Sequence, residues 1–394
     1  MTPAVSPPPD LPTLAVLGSG SLARAVCYGL ASAVAYPAEV MVVARSARPV
    51  ADLCHVATVR AALCGHPVRF RPVVAELSGS DALAEVLGAA RPAGVLLCAS
   101  TQSPWERLTA PSAWTALVER AGFGLTLPLH AELALAAGRA VAAVSPRPWF
   151  LNACFPDAVN PALAACGVPV LAGVGNVATL AAGLQAALRV ADPGRLAVLA
   201  HHLHLHAPAD PGDEARVWCD GVEVGEVGSL LAAQRAVSRL ELNQVTGYAA
   251  ALLLRDLLAR AEVATHVPGP EGRPGGYPVL IGPGGAALRL PAGVSEAEAT
   301  AANQRWAALD GVALDAGRVV FGPAAEAHLR GVAPDLAGGF PLAEIATAAT
   351  RLRELRDQLR TAGPADSAAE TAAGPAATRP AGLAQSREAA AVST

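Results

Sequence analysis

Three small residues follow a short apolar run near the start of the chain, at the spacing Gly-x-Gly-x-x-Ala. The run 14–17 has the length of a strand, and a helical pattern begins after Gly20. Gly18 permits a tight turn, Gly20 lets a pyrophosphate approach the backbone, and Ala23 allows close helix packing. The N–H groups of the new helix would bind phosphate. The alternative is a turn without a ligand. The predicted cofactor-binding residues at this turn are Gly18, Ser19, Gly20, Ser21 and Leu22.

The end of the second predicted strand, 38–44, carries the residues that would choose between NAD and NADP. Dinucleotide sites often place Asp or Glu here to bind the adenosine ribose. In this chain Arg45 and Ser46 follow the strand. A carboxylate would repel a 2′-phosphate, whereas a guanidinium and a hydroxyl bind it by charge-assisted hydrogen bonds. We therefore expect NADP, with NAD as the second possibility and a solvated turn residue as the alternative for Arg45.

Four histidines within six residues could supply a group that exchanges protons. His201, His202, His204 and His206 end a segment, 195–206, that we predict to be a strand. Imidazole titrates near neutral pH, which suits proton exchange with an alcohol or carbonyl. On a strand, the last three of these histidines would share one face, a spacing that a metal site could also use. An ordinary half-buried strand is the third interpretation. No second cluster of ligands lies near in sequence, so we expect no metal.

Strand and helix patterns alternate along the first half of the chain, which predicts an α/β fold with a doubly wound parallel sheet. The 394 residues are 53% apolar and 16% charged, as in a protein with a large buried core. Further strands follow, then a mostly helical segment, 230–261, that we expect to break near Gly247. A hairpin at 277–290 and a helix at 295–309 with a capping box come next. The last predicted helix spans residues 342–360. The last residues, 362–394, are rich in Ala, Thr, Pro and Gly, which predicts a disordered tail.

The overall composition excludes several classes of partner. The net charge of −4 provides no broad basic surface, so we expect no nucleic acid. Charges interrupt every apolar run before it could span a membrane, and the N-terminus does not resemble a signal peptide. The seven cysteines contain no C-x-x-C pair and indicate a reducing compartment, hence a cytoplasmic location.

Taken in order, several motifs resemble those of the lactate/malate dehydrogenase family, over about residues 13–310. Each match is loose, and the ordered series carries the resemblance. The motifs are the turn at 18–23, 51–55 ("DLqH"), 98–100 with Pro104 and Arg107 (the mobile loop), 151–152 with Asp157 ("sNPvD"), 198–202 with Trp218 ("VlGEHG…W"), 245–249 ("T.wAig") and the hairpin 277–290.

The resemblance implies a function and a set of site residues. It implies a nicotinamide-dependent oxidoreductase that interconverts a carbonyl and a hydroxyl on a small molecule. His202 would be the proton-transfer group, Arg107 would close from the loop, Asn152 and Thr246 would face the substrate, and Ala99 and Asn152 would contact the cofactor. The expected domains are a Rossmann-type domain at 13–155, a mixed α+β domain at 156–310 and a C-terminal extension at 311–361. A homodimer formed through the helix that includes 52–63 is also implied.

Two positions depart from the family pattern. Thr179 stands where the family has an Asp that orients the histidine, and Ala182 stands where it has an Arg that binds the substrate carboxylate. Without that Arg we expect a substrate other than a simple 2-keto acid, such as an amide, ester or larger carbonyl compound. Without that Asp we expect the pKa of His202 to be lower than in family members that have it, unless an acid in the loop 210–214 replaces it. The alternative is a nucleotide-binding protein that has lost its activity.

Overall fold

Near-continuous apolar runs build a six-stranded sheet in which every pair of neighbours is parallel. In a computed structural model that describes residues 11–361, the strand order is β3-β2-β1-β4-β5-β6. The predicted doubly wound sheet is confirmed. The residues of β1 from Leu14 onward are fully buried, as expected for a strand covered by helices on both faces. The strands are β1 (Thr13–Leu17), β2 (Glu39–Ala44), β3 (Arg69–Val74), β4 (Gly94–Leu97), β5 (Trp149–Asn152) and β6 (Ala172–Gly173).

Helices connect these strands, and the connections change direction between β1 and β4. Since β3 and β4 lie on opposite sides of β1, the carboxyl ends of β1 and β4 border a crevice of the kind in which open α/β sheets bind ligands. The helices of this half are α1 (Ser21–Ala33), α2 (Ala47–Leu63), α3 (Ser80–Ala90), α4 (Glu106–Thr109), α5 (Ala113–Ala121), α6 (Leu127–Ala143), α7 (Pro156–Ala165) and α8 (Asn176–Leu188).

The following segment is a mixed α+β arrangement, as predicted. Two three-stranded antiparallel sheets form, and the predicted hairpin joins β11 to β12. Ser295 caps α11 and forms the predicted capping box with Glu298. The strands are β7 (Leu196–Leu199), β8 (Arg216–Cys219), β9 (Val222–Glu223), β10 (Val263–Pro268), β11 (Gly276–Gly282) and β12 (Gly285–Leu288), and the helices are α9 (Val227–Ala236), α10 (Arg239–Leu258) and α11 (Glu296–Leu309).

Two predictions for this segment are wrong. The histidines do not continue a strand, because β7 ends at Leu199 and a 3₁₀ turn, His202–Leu205, follows. The ring nitrogen of His201 accepts the N–H of Leu203 and that of His204 accepts the N–H of His201, so the side chains stabilise the turn. The predicted helix break at Gly247 is also absent. A Cβ at Gly247 would lie 2.3 Å from that of Ala25, so this glycine allows α10 to pack closely on α1.

Residues 312–361 extend the core of the first half. Leu329 and Leu352 are fully buried in the same apolar cluster as Trp114 and Leu125. The domain boundaries at 155, 310 and 361 stay predictions, and residues 1–10 and the predicted tail lie outside the described residues. Within 11–361 there is no helix both long and apolar enough to cross a membrane. The elements are β13 (Val312–Asp315), β14 (Arg318–Phe321), α12 (Pro323–Val332), α13 (Pro334–Ala337), β15 (Phe340–Pro341) and α14 (Ile345–Thr361).

Candidate active site

The glycine turn after β1 lies at the crevice and has the form that a dinucleotide requires. Gly18 has a φ of 121°, and a Cβ on it would lie 3.1–3.2 Å from atoms of Cys98 and Ala99 at the end of β4. A Cβ on Gly20, by contrast, would have no atom within 4 Å. No side chain caps the N-terminus of α1. The turn therefore leaves open space beside helix N–H groups, which suits a phosphate.

Arg45 and Ser46 lie one strand away from this turn. Leu17 pairs with Val43, so the two residues directly follow the strand that adjoins the glycine turn. Both are exposed. Ser46 is the N-cap residue of α2, but its hydroxyl makes no capping hydrogen bond. Neither side chain is bonded to any other described residue, so both are available to a ligand.

His202 has an acidic partner that the sequence did not reveal. Its Nδ1 lies 2.9 Å from Oδ2 of Asp310, which ends α11 and is 108 residues away in sequence. The imidazole is 13% exposed, and its Nε2 makes no hydrogen bond to the part of the chain described. A histidine held through Nδ1 by a carboxylate, with Nε2 free, has the arrangement of a general acid or base.

A second carboxylate fixes the backbone of the same histidine. Oδ1 of Asp157, at the start of α7, accepts the N–H of His202 at 3.0 Å. Asp157 is fully buried and its Oδ2 has no partner among residues 11–361. Because α7 follows β5, Asp157 brings His202 to the carboxyl edge of the sheet, where the glycine turn also lies. Phe123 stacks on the imidazole at 4.9 Å and Phe155 meets its edge at 5.3 Å.

The charges around His202 favour its protonated form. Burial alone would lower the pKa of His202, but the charge and hydrogen bond of Asp310, with the charge of Asp157, raise it above its ordinary value. The absence of an Asp at position 179 therefore does not leave His202 without an acid, because Asp310 supplies one. Burial raises the pKa of Asp157 to about 6 and lowers that of His201 to about 3. Among the four histidines of this segment, His202 is the one whose pKa is raised, so its protonated form is favoured.

Three of the other predicted site residues are bonded to protein groups. Thr179 and Thr246 bond to each other, with 2.7 Å between their hydroxyl oxygens. The amide nitrogen of Asn152 donates to Asn160 at 2.9 Å and to the carbonyl of Cys154 at 3.2 Å, so both of its hydrogens are used inside the turn after β5.

Arg107 and the acidic loop lie apart from the imidazole contacts. Arg107 is 64% exposed and pairs with Glu119. Asp213 and Glu214, which could have replaced the absent acid, pair with Arg305 and Arg235 instead. His202, His204 and His206 do not share a strand face, and no group of three potential metal ligands occurs in residues 11–361. The hypothesis of a metal site therefore loses its basis, because it required the three histidines to share one face of a strand.

The loop after β4 is held over the glycine turn. The indole nitrogen of Trp105 donates to the hydroxyl of Ser21, the first residue of α1, at 3.0 Å. On the other side, Glu106 is buried and forms two hydrogen bonds with Arg360 of α14, at 2.6 and 2.7 Å. Arg356 of the same helix donates to the carbonyl of Thr101 at 2.6 Å. The C-terminal helix thus fixes the loop that borders the candidate cofactor site.

Comparison with known proteins gives neighbours in structure alone. No family model matches the chain, and no curated protein matches it. Lactate dehydrogenase from Cryptosporidium parvum is 14% identical, with 76% of this chain and 98% of that chain covered and a TM-score of 0.47. Malate dehydrogenase from the same organism is 15% identical, with 75% and 95% covered and a TM-score of 0.44.

Malate dehydrogenase from Picrophilus torridus is 13% identical, with 76% of this chain and 97% of that chain covered and a TM-score of 0.49. These three neighbours are lactate and malate dehydrogenases. These are the proteins whose motifs the sequence resembles. The roles of individual residues depend on the geometry of this chain.

Asp310→Asn should lower the pKa of His202 below the ordinary histidine value, because burial remains while the opposing charge is lost. Histidine titration by NMR measures this. Asp213→Asn is the matched control, since the carboxylate of Asp213 pairs with Arg305. An unchanged pKa of His202 in Asp310→Asn would show that Asp310 does not control its protonation.

Arg360→Met should loosen the loop 101–109, because the buried carboxylate of Glu106 loses its guanidinium partner. Arg360 is 38% exposed, so we expect an effect of about 1 kcal/mol, or roughly fivefold faster amide exchange in the loop. Arg353→Met, on the same helix as Arg360, breaks the pair with Glu132 of α6 and should leave the loop unchanged. Equal exchange in the two variants would refute a specific role for Arg360.

Proposed function

We propose that this chain is an NAD(P)-dependent oxidoreductase that interconverts a carbonyl and a hydroxyl. The observation that supports this most strongly is the His202–Asp310 pair, with a free Nε2, at the sheet edge that also carries the glycine turn. Proton transfer and dinucleotide binding require these two features. They come from parts of the chain about 180 residues apart, which the fold brings to one edge.

The cofactor would lie along the turn formed by residues 18–22 and against Ala99 at the end of β4. The open space beside Gly20 fits a pyrophosphate. We propose NADP as the preferred form, because Arg45 and the free hydroxyl of Ser46 provide a charge and a donor for a 2′-phosphate. When bound, the nicotinamide supplies or accepts the hydride.

His202 would move the proton at its Nε2. In carbonyl reduction the protonated imidazole donates to the carbonyl oxygen, and in alcohol oxidation the neutral imidazole accepts the hydroxyl proton. Asp310 stabilises the cation and holds the ring through Nδ1. Such acid–base catalysis is worth about 10²–10⁴ in rate. Because the pKa of His202 is raised, reduction should persist to a higher pH than an ordinary histidine allows.

The substrate would differ from a simple 2-keto acid held as in the resembled family. Ala182 on α8 provides no charge for a carboxylate at that position. We further propose a homodimer through α2, where Val56, Val59 and Leu63 are exposed while Val50 and Leu53 face the protein's own core.

One observation favours the second candidate function, a nucleotide-binding protein without turnover. The amide hydrogens of Asn152 are used internally and are not available to a substrate.

Arg45→Ala should weaken NADP binding by about 10- to 100-fold and leave NAD binding unchanged, since a hydrogen bond to a charged group is worth roughly 1.5–3 kcal/mol. Calorimetric titration with both cofactors measures the two affinities. Arg69→Ala, at the amino end of β3 and exposed, removes the same charge as a control. Equal affinities of the wild type for NADP and NAD would contradict the proposed preference.

His202→Gln should bind NADP with nearly wild-type affinity and lose about 10²–10⁴-fold in turnover, because only proton transfer is removed. A panel of 2-keto acids, keto amides and aldehydes first identifies a carbonyl compound that the wild type reduces. Equal turnover by His202→Gln would refute the role of His202. Binding of NADP without reduction of any carbonyl would support the second candidate.

A further inference from the structure

An aromatic ring lies flat against the imidazole of the candidate catalytic histidine. The ring centroids of Phe123 and His202 are 4.9 Å apart and the planes differ by 22°, so the two rings are stacked. The other contact of this imidazole that fixes its orientation is the hydrogen bond from Nδ1 to Asp310, which lies at its edge. Phe123 therefore covers a face of the ring that is 13% exposed to solvent and whose nitrogens carry the proton.

The turn that carries Phe123 is bonded to the acidic partner of the same histidine. The N–H of Gly124, in the 3₁₀ turn Phe123–Thr126, donates to the backbone carbonyl of Asp310 at 3.0 Å. A Cβ on Gly124 would lie 2.6 Å from the backbone that follows Asp310, so a glycine is required for this close approach. Asp310 therefore holds His202 through its carboxylate and the Phe123 turn through its carbonyl.

The second aromatic neighbour of the imidazole has a strained backbone. Phe155, the residue before α7, has a φ of 47° and a ψ of 53°, a left-handed conformation that a bulky side chain rarely adopts. Residues strained in this way persist where the surrounding structure holds them, and they cluster at functional sites. The ring of Phe155 meets that of Phe123 at 4.9 Å, with 79° between the planes. The two rings therefore support each other beside His202.

The charged and titratable groups that act on His202 come from several elements. Burial lowers the pKa of His202, the carboxylates of Asp310 and Asp157 raise it, and the charge of Arg239 lowers it. Burial also lowers the pKa of three neighbouring imidazoles, which favours their neutral form: those of His130, His201 and His206. The protonated form of His202 therefore depends on stabilisation by its protein neighbours, because burial has removed most of its contact with water.

We propose that Phe123 is a positioning residue that stabilises the protonated imidazole of His202 through the face of its ring, and this inference rests on the proposed role of His202 in proton transfer. The face of an aromatic ring is its negative part, and it attracts a cation within about 6 Å of the centroid, most strongly where water is excluded. The neutral imidazole gains the packing of two aromatic rings without this attraction. Phe123 thus acts above the ring plane, while Asp310 acts at Nδ1.

The NMR test measures the pKa of His202 in the full chain, with the resonances assigned by their loss in His202→Gln. Phe123→Leu keeps the position apolar and removes the ring face, so the acid dissociation constant of His202 should rise at least about fivefold. Phe123→Tyr should keep the wild-type value. Phe321→Leu, which removes a buried ring from the pair with Phe340, is the matched control and should also keep it. An unchanged pKa of His202 in Phe123→Leu would overturn the proposal.

Pentafluorophenylalanine at position 123 separates the effect of the ring face from that of packing. Its shape is close to that of phenylalanine, but fluorine reverses the charge of the ring face, so this variant should lower the pKa of His202 at a melting temperature near that of the wild type. It also keeps the test decisive if Phe123→Leu fails to fold. A lowered pKa in Phe123→Leu together with an unchanged pKa in the fluorinated variant would overturn the proposal, because packing alone would then account for the change.

The kinetic test uses a carbonyl compound that the wild type reduces. The value of kcat/KM for reduction should fall off at lower pH in Phe123→Leu than in the wild type, because less of the imidazole is protonated at a given pH. The same pH profile in both proteins would overturn the proposed contribution of Phe123 to proton transfer. A lowered pKa of His202 in Phe123→Leu, with no carbonyl reduced by the wild type, would support the stabilisation of the imidazole by Phe123 and overturn the proposed oxidoreductase function.

Discussion

The short contact between His202 and Asp310 is the constraint on which the rest of the site depends. It joins the turn after β7 to the end of α11, and Asp157 joins the same turn to the start of α7. Both partners are largely buried, with side-chain exposures of 13% and 9%. Removing one member of a buried pair typically costs about 3–5 kcal/mol, because the other is left without its countercharge. The contact therefore fixes both the protonation of the histidine and the relative position of two helices.

Helix α14 borders the candidate cofactor site as well as extending the core. Leu352 and Leu355 of α14 pack with the helices of the first half, while Arg356 and Arg360 hold the loop after β4. Core packing and loop position thus depend on the same helix. The loop in turn places Trp105 against Ser21 at the glycine turn. This arrangement makes residues 345–361 part of the frame of the candidate cofactor site.

Much of the fold could be predicted from sequence because its signals are local. Apolar strands, the glycine turn at 18–23, the hairpin and the capping box at Ser295 each depend on residues close together in the chain. The histidine segment was misassigned because ring nitrogens that bond to nearby N–H groups stabilise a turn, a pattern that alternation does not reveal. Sequence alone predicts a helix break at Gly247, because the close contact of this glycine with Ala25 is a tertiary feature.

The site could be predicted in part. The spacing of motifs indicated His202, and Asp157 was visible in one of those motifs without an evident role. Asp310 carried no signal, because its partner lies 108 residues away and no spacing rule connects them.

The most direct test is a crystal structure of the full chain with oxidised NADP and a carbonyl compound that the wild type reduces. We predict the nicotinamide C4 and the carbonyl oxygen on the same side of the crevice, with that oxygen at hydrogen-bond distance, about 2.6–3.2 Å, from Nε2 of His202. The imidazole should keep its bond to Asp310. A nicotinamide bound with C4 directed away from His202, or a His202 that faces neither ligand, would contradict the proposed role of the His202–Asp310 pair.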